Sequence, residues 1–141
     1  VLTFEELMAL FEAFNIDLSK CSNEDINDGS IFGRGFGASG GLAKSVQNYI
    51  AEKGLSFDFE PIKVSGPRQI KKTMTMAKLG RLECNFIEGM MCEGGCINGS
   101  GKFLSGAKVK ATFDRKNSQS TKKSVLANTK IKDFSNINLE K

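Results

Sequence analysis

The sequence of 141 residues predicts an α/β fold in which a small parallel or mixed sheet is flanked by helices. Stretches with helical periodicity alternate with short stretches of strand character, and strands separated by helices favour parallel pairing. The composition, with 40% hydrophobic and 26% charged residues, is that of an ordinary globular domain.

The first helix is predicted within residues 2–17, where Thr3 and Glu6 have the T-x-x-E spacing of a capping box. Residues 18–29 are polar and rich in turn formers, so they are predicted to form a loop, and Cys21 lies within it. Apolar side chains at helical spacing predict a stripe on one face of the helix, made of Phe4, Leu7, Met8, Phe11 and Phe14.

A second helix and a strand are predicted after a glycine-rich bend. Ser39 is the predicted N-cap of this helix, and Gly54 is predicted to end it. The segment FDFEPIKVSG, residues 57–66, alternates enough between apolar and polar side chains to predict a strand.

A further helix and strand are predicted next. Pro67 stands in the first turn of this helix, where proline is favoured, and Gly80 ends it. The segment LECNFIEGM, residues 82–90, predicts a strand in which Cys84 occupies a core position. Beyond Gly101 the pattern weakens and predicts one or two helical pieces.

Charge is distributed unevenly along the chain. Residues 1–101 contain 10 basic and 13 acidic residues, a net charge of −3, whereas residues 102–141 contain 10 basic and 3 acidic residues, a net charge of +7. No nucleic-acid-binding module is recognisable, so a solvated lysine-rich extension is the favoured interpretation. We expect a domain over residues 1–126, a loosely ordered basic tail over residues 127–141, and no nucleic-acid partner.

The residue types exclude several classes of function. The chain contains no histidine, which excludes a Ser-His-Asp or Cys-His catalytic arrangement within it. No apolar run approaches the roughly 20 residues of a membrane span, and no signal-peptide pattern opens the sequence. Four cysteines are too few for a disulfide scaffold of the secreted type, so we expect reduced thiols, a cytoplasmic location and no membrane partner.

The segment GRGFGASGG contains the first of two glycine-rich motifs. Residues Gly35 to Gly40 fit G-x-G-x-x-G and open a helix, and Asp58 follows about twenty residues later, as in a dinucleotide-binding fingerprint. However, the preceding apolar run is only Ile31 and Phe32, and a second βαβ half is missing. A structural turn is therefore favoured, and a nucleotide-binding α/β module that uses this turn is the alternative.

The second motif, CEGGC, contains Cys92 and Cys96. Its spacing is C-x3-C and it occurs once, whereas zinc ribbons and thioredoxin-type redox sites use C-x2-C. Two thiolates do not complete a zinc or iron–sulfur site, so a metal site would need ligands from another segment or chain. Spacing alone leaves two interpretations open: part of a metal site, or ordinary half-buried cysteines in a glycine turn.

The order of these segments resembles that in the C-terminal lobe of the iron-only ([FeFe]) hydrogenase catalytic domain. The family signature E-x-M-x-C-x-x-G-C-x-x-G-x-G is matched from Glu88 to Gly101, and the family's F-G-A-[ST]-G-G turn is matched from Phe36 to Gly41. The opening VLTFEEL resembles the family's V-L-T-x-x-E-L helix. The resemblance covers residues 1–126, and its cysteine motif is highly specific.

The resemblance implies an H-cluster, in which a [4Fe–4S] cube held by four cysteines is joined to a two-iron subsite. This group interconverts protons, electrons and H2. By position, Cys92 would ligate the cube, and Cys96 would ligate the cube and bridge to the two-iron subsite. No catalytic residue is expected within this chain. The positions that match the lining of the two-iron pocket are Phe36, Gly37, Leu42 and Met90.

Two motifs of the family are missing from these 141 residues: T-S-C-C-P and M-P-C-x-x-K-x-E, which carry the other two cube ligands. The resemblance therefore implies one lobe of a catalytic domain, inactive and without the cluster on its own. Its partners would be the N-terminal lobe and a ferredoxin-like electron carrier. Glu93 in place of a proline, and Lys102-Phe103 in the ending, indicate a divergent subgroup. A hydrogenase-like iron–sulfur assembly or sensor protein is a further alternative.

Overall fold

The computed structural model describes residues 1–24, 29–104 and 106–128, together with residues 130 and 137. It confirms the predicted α/β class. In the described residues, the helices are α1, Phe4–Ala13; α2, Ile31–Arg34; α3, Gly41–Lys53; α4, Pro67–Lys78; and α5, Gly106–Ser118. The strands are β1, Pro61–Ser65, and β2, Phe86–Met90, and short 3₁₀ turns lie at Leu18–Lys20, Gly35–Gly37 and Cys96–Asn98.

The two strands form a parallel sheet, as predicted. Pro61 pairs with Phe86 at one end and Ser65 pairs with Met90 at the other. Helix α4 makes the crossover that a parallel pair requires. Because the strands are parallel, their carboxyl ends meet at the same edge, and the loop after β2 begins there.

The capping box at the start of α1 is confirmed. The Glu6 N–H donates to Thr3 Oγ1 over 3.2 Å, and the Thr3 N–H donates to Glu6 Oε2 over 2.7 Å. The Thr3 N–H, and then its hydroxyl, hold the pKa of the Glu6 carboxyl below its usual value. The apolar stripe is not buried, however, since none of the α1 residues is buried by the described part of the chain, and Phe4 and Phe14 are 60% and 69% exposed.

Helix α3 begins differently from the sequence prediction. Ser39 is not the N-cap: the helix starts at Gly41, Gly40 is its N-cap with a φ of 88°, and the capping residue contributes no side-chain hydrogen bond. Glycine tolerates that left-handed conformation, whereas serine would be strained in it. At the other end the prediction is confirmed, because Gly54 terminates the helix with a φ of 62°.

Helix α4 follows its sequence signals closely. Pro67 occupies the first turn, and Gly80 follows the last helical residues with a φ of 65°. The prediction for Cys84 was wrong, because this half-buried residue lies before β2. Asn85 separates it from the ladder: Asn85 N–H donates to the Glu60 carbonyl, and Asn85 Oδ1 accepts from the Glu60 N–H over 2.9 Å.

The predicted helical character beyond Gly101 is confirmed by α5. The chain after α5 returns to α2 and α3: the Ser120 hydroxyl donates to the Gly29 carbonyl over 3.2 Å, and the Ile31 N–H donates to the Lys122 carbonyl over 3.0 Å. Most of the predicted tail, residues 127–141, lies outside the described residues.

The Glu52 carboxylate, near the end of α3, holds the segment after α5. It accepts the Val125 N–H over 2.9 Å and the Leu126 N–H over 3.0 Å, and it also accepts the Ser124 hydroxyl over 2.8 Å. The Leu126 N–H is the main reason why the pKa of Glu52 is lowered. No helix in the described ranges is both long and apolar enough to cross a membrane.

Candidate metal centre

Cys92 and Cys96 lie in a tight loop that leaves the carboxyl end of β2. The Gly95 N–H donates to the Cys92 carbonyl over 3.0 Å, and the Gly99 N–H donates to the Cys96 carbonyl over 2.9 Å. Gly94 and Gly95 have φ values of 82° and 105°, which side-chain-bearing residues rarely adopt. The glycines therefore allow the backbone to turn sharply between the two thiols.

The cysteine loop packs directly against the other glycine-rich motif. The Ser39 N–H donates to the Gly94 carbonyl over 3.0 Å. A Cβ on Gly95 would lie 2.6 Å from the Ser39 nitrogen and 2.7 Å from the Gly37 oxygen, so the two backbones approach more closely than any side chain permits. Two motifs more than fifty residues apart in the sequence thus form one site.

On its other side the loop contacts the end of β1 and the start of α4. The Gly94 N–H donates to Ser65 Oγ over 3.2 Å, and the Gly66 N–H donates to the Met90 carbonyl over 2.9 Å. The exposed Glu93 side chain lies over Gly66, since a Cβ there would be 3.0 Å from Glu93 Cγ. The carboxyl ends of both strands and the starts of two helices therefore surround the loop.

Glu88, in the middle of β2, supplies the cap that α3 lacks. Its side chain reaches across to the helix, where Oε1 accepts the Gly40 N–H over 2.8 Å and Oε2 accepts the Ala43 N–H over 2.9 Å. The residue is only 3% exposed, and its negative charge complements the positive end of the helix. The role of Glu88 was not predicted from the sequence, where the available signal is an acidic residue inside an apolar strand pattern.

The thiols of the loop are free, as are those of Cys21 and Cys84. Cys96 is exposed and Cys92 is half-buried beneath Gly99, where a Cβ would lie 3.6 Å from the Cys92 sulfur. Cys96 opens onto a cleft of about 510 Å³ that sequence analysis did not identify. The apolar side chains of this cleft are those of Phe4, Ile97, Phe103, Leu104 and Val109.

The sequence matches the family of the iron-only hydrogenase large subunit, C-terminal domain, over residues 1–100. The chain belongs to this family. The matched residues include both glycine-rich motifs and both cysteines of the loop, and they end before α5. No curated protein matches the sequence. The predicted domain boundary at residue 126 lies beyond the matched residues and stays a prediction.

The structure places the four positions predicted to line a hydrogenase pocket in the turn before α3, in the first turn of α3 and at the end of β2. Gly37 lies in the wall of the same cleft as Cys96, and Met90 ends β2 two residues before Cys92. Phe36 is 44% exposed in the adjacent 3₁₀ turn, and Leu42 is 37% exposed in the first turn of α3. The assignment of these four residues to a cofactor pocket stays a prediction.

The donor atoms of the loop fit part of a hydrogenase iron–sulfur site. Free thiols provide the soft sulfur ligands that iron–sulfur centres use, and such clusters take four. Within the ranges that the structure describes, no group of three or more cysteine, aspartate or glutamate side chains could hold a metal ion. The loop therefore offers two free thiols, half of the four sulfur ligands that such a cluster takes.

Proposed function

We propose that Cys92 and Cys96 are two of the four cysteine ligands of the [4Fe–4S] cube of an H-cluster, and that Cys96 also bridges to its two-iron subsite. When bound, this group would supply the interconversion of H2 with protons and electrons. The observation that supports the proposal is the free thiol pair on a glycine loop at the carboxyl edge of a parallel sheet, in a member of the hydrogenase family.

The residues around the thiols would exclude water from the iron and orient the sulfurs. Phe36, Leu42 and Met90 would supply apolar groups to this surrounding, and Gly37 brings bare backbone into the cleft beside Cys96. An apolar surrounding and hydrogen bonds to sulfur are the means by which a protein tunes the potential of such a centre.

We further propose that the chain acts as one lobe of the catalytic domain and binds no complete H-cluster alone. The other two cube ligands would come from an N-terminal lobe, and electrons from a ferredoxin-like carrier in the cytoplasm. Exposed apolar surface supports a partner lobe: Phe4, Phe103 and Leu104 are each more than half exposed and line one cleft. Apolar patches of this kind are typical of interaction sites.

The proposal is tested by replacing each cysteine by serine in the full-length protein that carries this chain. Cys92→Ser and Cys96→Ser should each lose most of the bound iron and the infrared bands of CO and cyanide. Cys21→Ser and Cys84→Ser are matched controls and should keep both, because neither thiol forms a potential ligand group with Cys92 and Cys96 in the described residues, and Cys84 precedes β2 whereas the loop follows it. Full iron content and intact bands in Cys92→Ser and Cys96→Ser would contradict the ligand assignment.

The partner-lobe proposal has its own test. The 141-residue chain, supplied with iron and sulfide under anaerobic conditions, should yield neither a cube with four cysteine ligands nor hydrogen turnover. A cube with four cysteine ligands together with hydrogen turnover would contradict the proposal that the chain is one lobe of a larger catalytic domain. A sensor or assembly protein with the same cluster is distinguished by hydrogen turnover of the loaded full-length protein, which we expect to be measurable.

The nucleotide-binding alternative finds little support in the geometry. A dinucleotide fingerprint needs a strand before its glycines, and residues Ile31–Arg34 form α2 instead. The Glu88 carboxylate also accepts the Gly40 and Ala43 N–H groups, which are the donors that a phosphate would need. Titration with NAD or ATP should therefore show no saturable binding.

A further inference from the structure

We propose that Glu88 is a positioning residue for the thiol loop, and that its cap on α3 is the means by which it acts. The inference rests on the proposed role of Cys92 and Cys96 as ligands. The backbone of Glu88 lies in β2, and its carboxylate accepts backbone N–H groups at the start of α3. It therefore connects the element that leads into the cysteine loop with the turn against which that loop packs.

The segment from Glu88 to Gly94, which contains Cys92, is held at both ends by adjacent residues of the turn. At one end, the Glu88 carboxylate accepts the Gly40 N–H; at the other, the Gly94 carbonyl accepts the Ser39 N–H. Since Ser39 and Gly40 are neighbours in the chain, the two bonds close a ring around the segment. The position of Cys92 relative to the turn depends on both bonds.

The chemistry at this position requires a carboxylate. Both oxygens of Glu88 accept backbone N–H groups, from Gly40 and Ala43, and the side chain is shielded from water. A glutamine would present one oxygen and one NH2 group, so one of the two backbone N–H groups would face another donor. Glu88→Gln therefore breaks one of the bonds while leaving the side-chain volume almost unchanged.

Glu52→Gln provides a matched control on the same helix. The Glu52 carboxylate also accepts backbone N–H groups, from Val125 and Leu126, but it lies eleven residues after Gly41, about 16 Å along the axis of α3. The two variants make the same chemical change at opposite ends of one helix. A general loss of helix stability should appear in both, whereas displacement of the thiol loop should appear only in Glu88→Gln.

The first measurement is the amide spectrum of the 141-residue chain by 1H–15N NMR. Glu88→Gln should shift the signals of Gly94 and Gly95 as well as those of Gly40 and Ala43, whereas Glu52→Gln should leave Gly94 and Gly95 in place. The second is the alkylation rate of each thiol by iodoacetamide, read by mass spectrometry. The Cys92 rate relative to the Cys84 rate should rise about tenfold in Glu88→Gln, as expected for loss of a charged hydrogen bond, and stay constant in Glu52→Gln.

Shifts confined to Gly40 and Ala43, with an unchanged alkylation ratio, would overturn the inference, because Glu88 would then be a helix cap alone. That outcome leaves the ligand proposal standing, which fails only if Cys92→Ser and Cys96→Ser keep their iron. If Glu88→Gln does not fold, hydrogen exchange of the unaltered chain decides. The Ser39, Gly40 and Ala43 amides should open as one unit, and a Ser39 amide that exchanges independently would overturn the inference.

Discussion

Gly95→Ala should destabilise the protein strongly, because this residue is where the two glycine-rich motifs meet. A Cβ added to Gly95 would lie within 3.0 Å of three backbone atoms: the Ser39 nitrogen, the Gly37 oxygen and the Ala38 carbonyl carbon. Backbone atoms cannot move aside as the end of a flexible side chain can. The substitution therefore forces the cysteine loop and the turn apart.

Comparison with the neighbouring Gly94 separates the expected loss of unfolding free energy into two parts. Both glycines have a positive φ, so an alanine at either position is strained by roughly 1–3 kcal/mol. A Cβ on Gly94 would meet no atom within 4 Å, whereas a Cβ on Gly95 adds an overpacking cost of roughly 1–3 kcal/mol. Gly95→Ala should thus cost about 2 kcal/mol more than Gly94→Ala, because the overpacking cost arises only at Gly95.

Urea unfolding monitored by circular dichroism measures both variants against the unaltered chain. The midpoint should fall further for Gly95→Ala, with no large change in the slope if the unfolding remains two-state. Equal losses of unfolding free energy in the two variants would refute the reasoning, since they would mean that the loop and the turn are not in backbone contact in solution.

Three other predictions concern the helix ends and the sheet. Ser39→Ala should change the free energy of unfolding by less than about 0.5 kcal/mol in a urea titration, because Ser39 does not cap α3, whereas removal of a true cap costs about 1 kcal/mol. In the same titration, Gly41→Ala should cost more than Gly89→Ala, since a Cβ on Gly41 would meet backbone of the preceding turn and a Cβ on Gly89 would meet open space. The pKa of Glu52 is lowered from 4.5 by folding, so its contribution to stability is present above 4.5 and is lost as the pH falls through the folded pKa. The Leu126 amide should therefore lose hydrogen-exchange protection below pH 4.5, and Glu52→Gln should remove this pH step.

Local sequence rules predicted those elements whose ends are determined within one turn of the chain. The capping box of Thr3 and Glu6 fixes the start of α1, and Pro67 with Gly80 brackets α4. Each of these signals lies within one turn of the helix end that it marks. The parallel pairing of the strands followed from the α4 crossover between them.

The start of α3 could not be predicted in the same way. Its cap comes from Glu88, which is 48 residues away from Gly40 in the sequence, so no local pattern reveals it. The core prediction for Cys84 failed for a related reason. Alternation of apolar and polar side chains predicts which face of a strand is buried, but the bonds between Asn85 and Glu60 decide where the strand pairing begins. The motif around Cys92 and Cys96 indicated a ligand pair, while the contact between the motifs required the fold.

The position of the thiols depends on backbone contacts, and this explains which residues of the loop can vary. Glu93, where the family pattern has a proline, is exposed, and its N–H makes no hydrogen bond within the described part of the chain. Exchange between proline and glutamate therefore changes no bond that holds the loop, and the longer side chain extends over Gly66 at the start of α4. Gly95 cannot be exchanged in this way, because Ser39 can approach it only where there is no side chain. Divergence at residue 93 is thus compatible with an unchanged thiol geometry, and it alters the charge next to the two thiols without moving them.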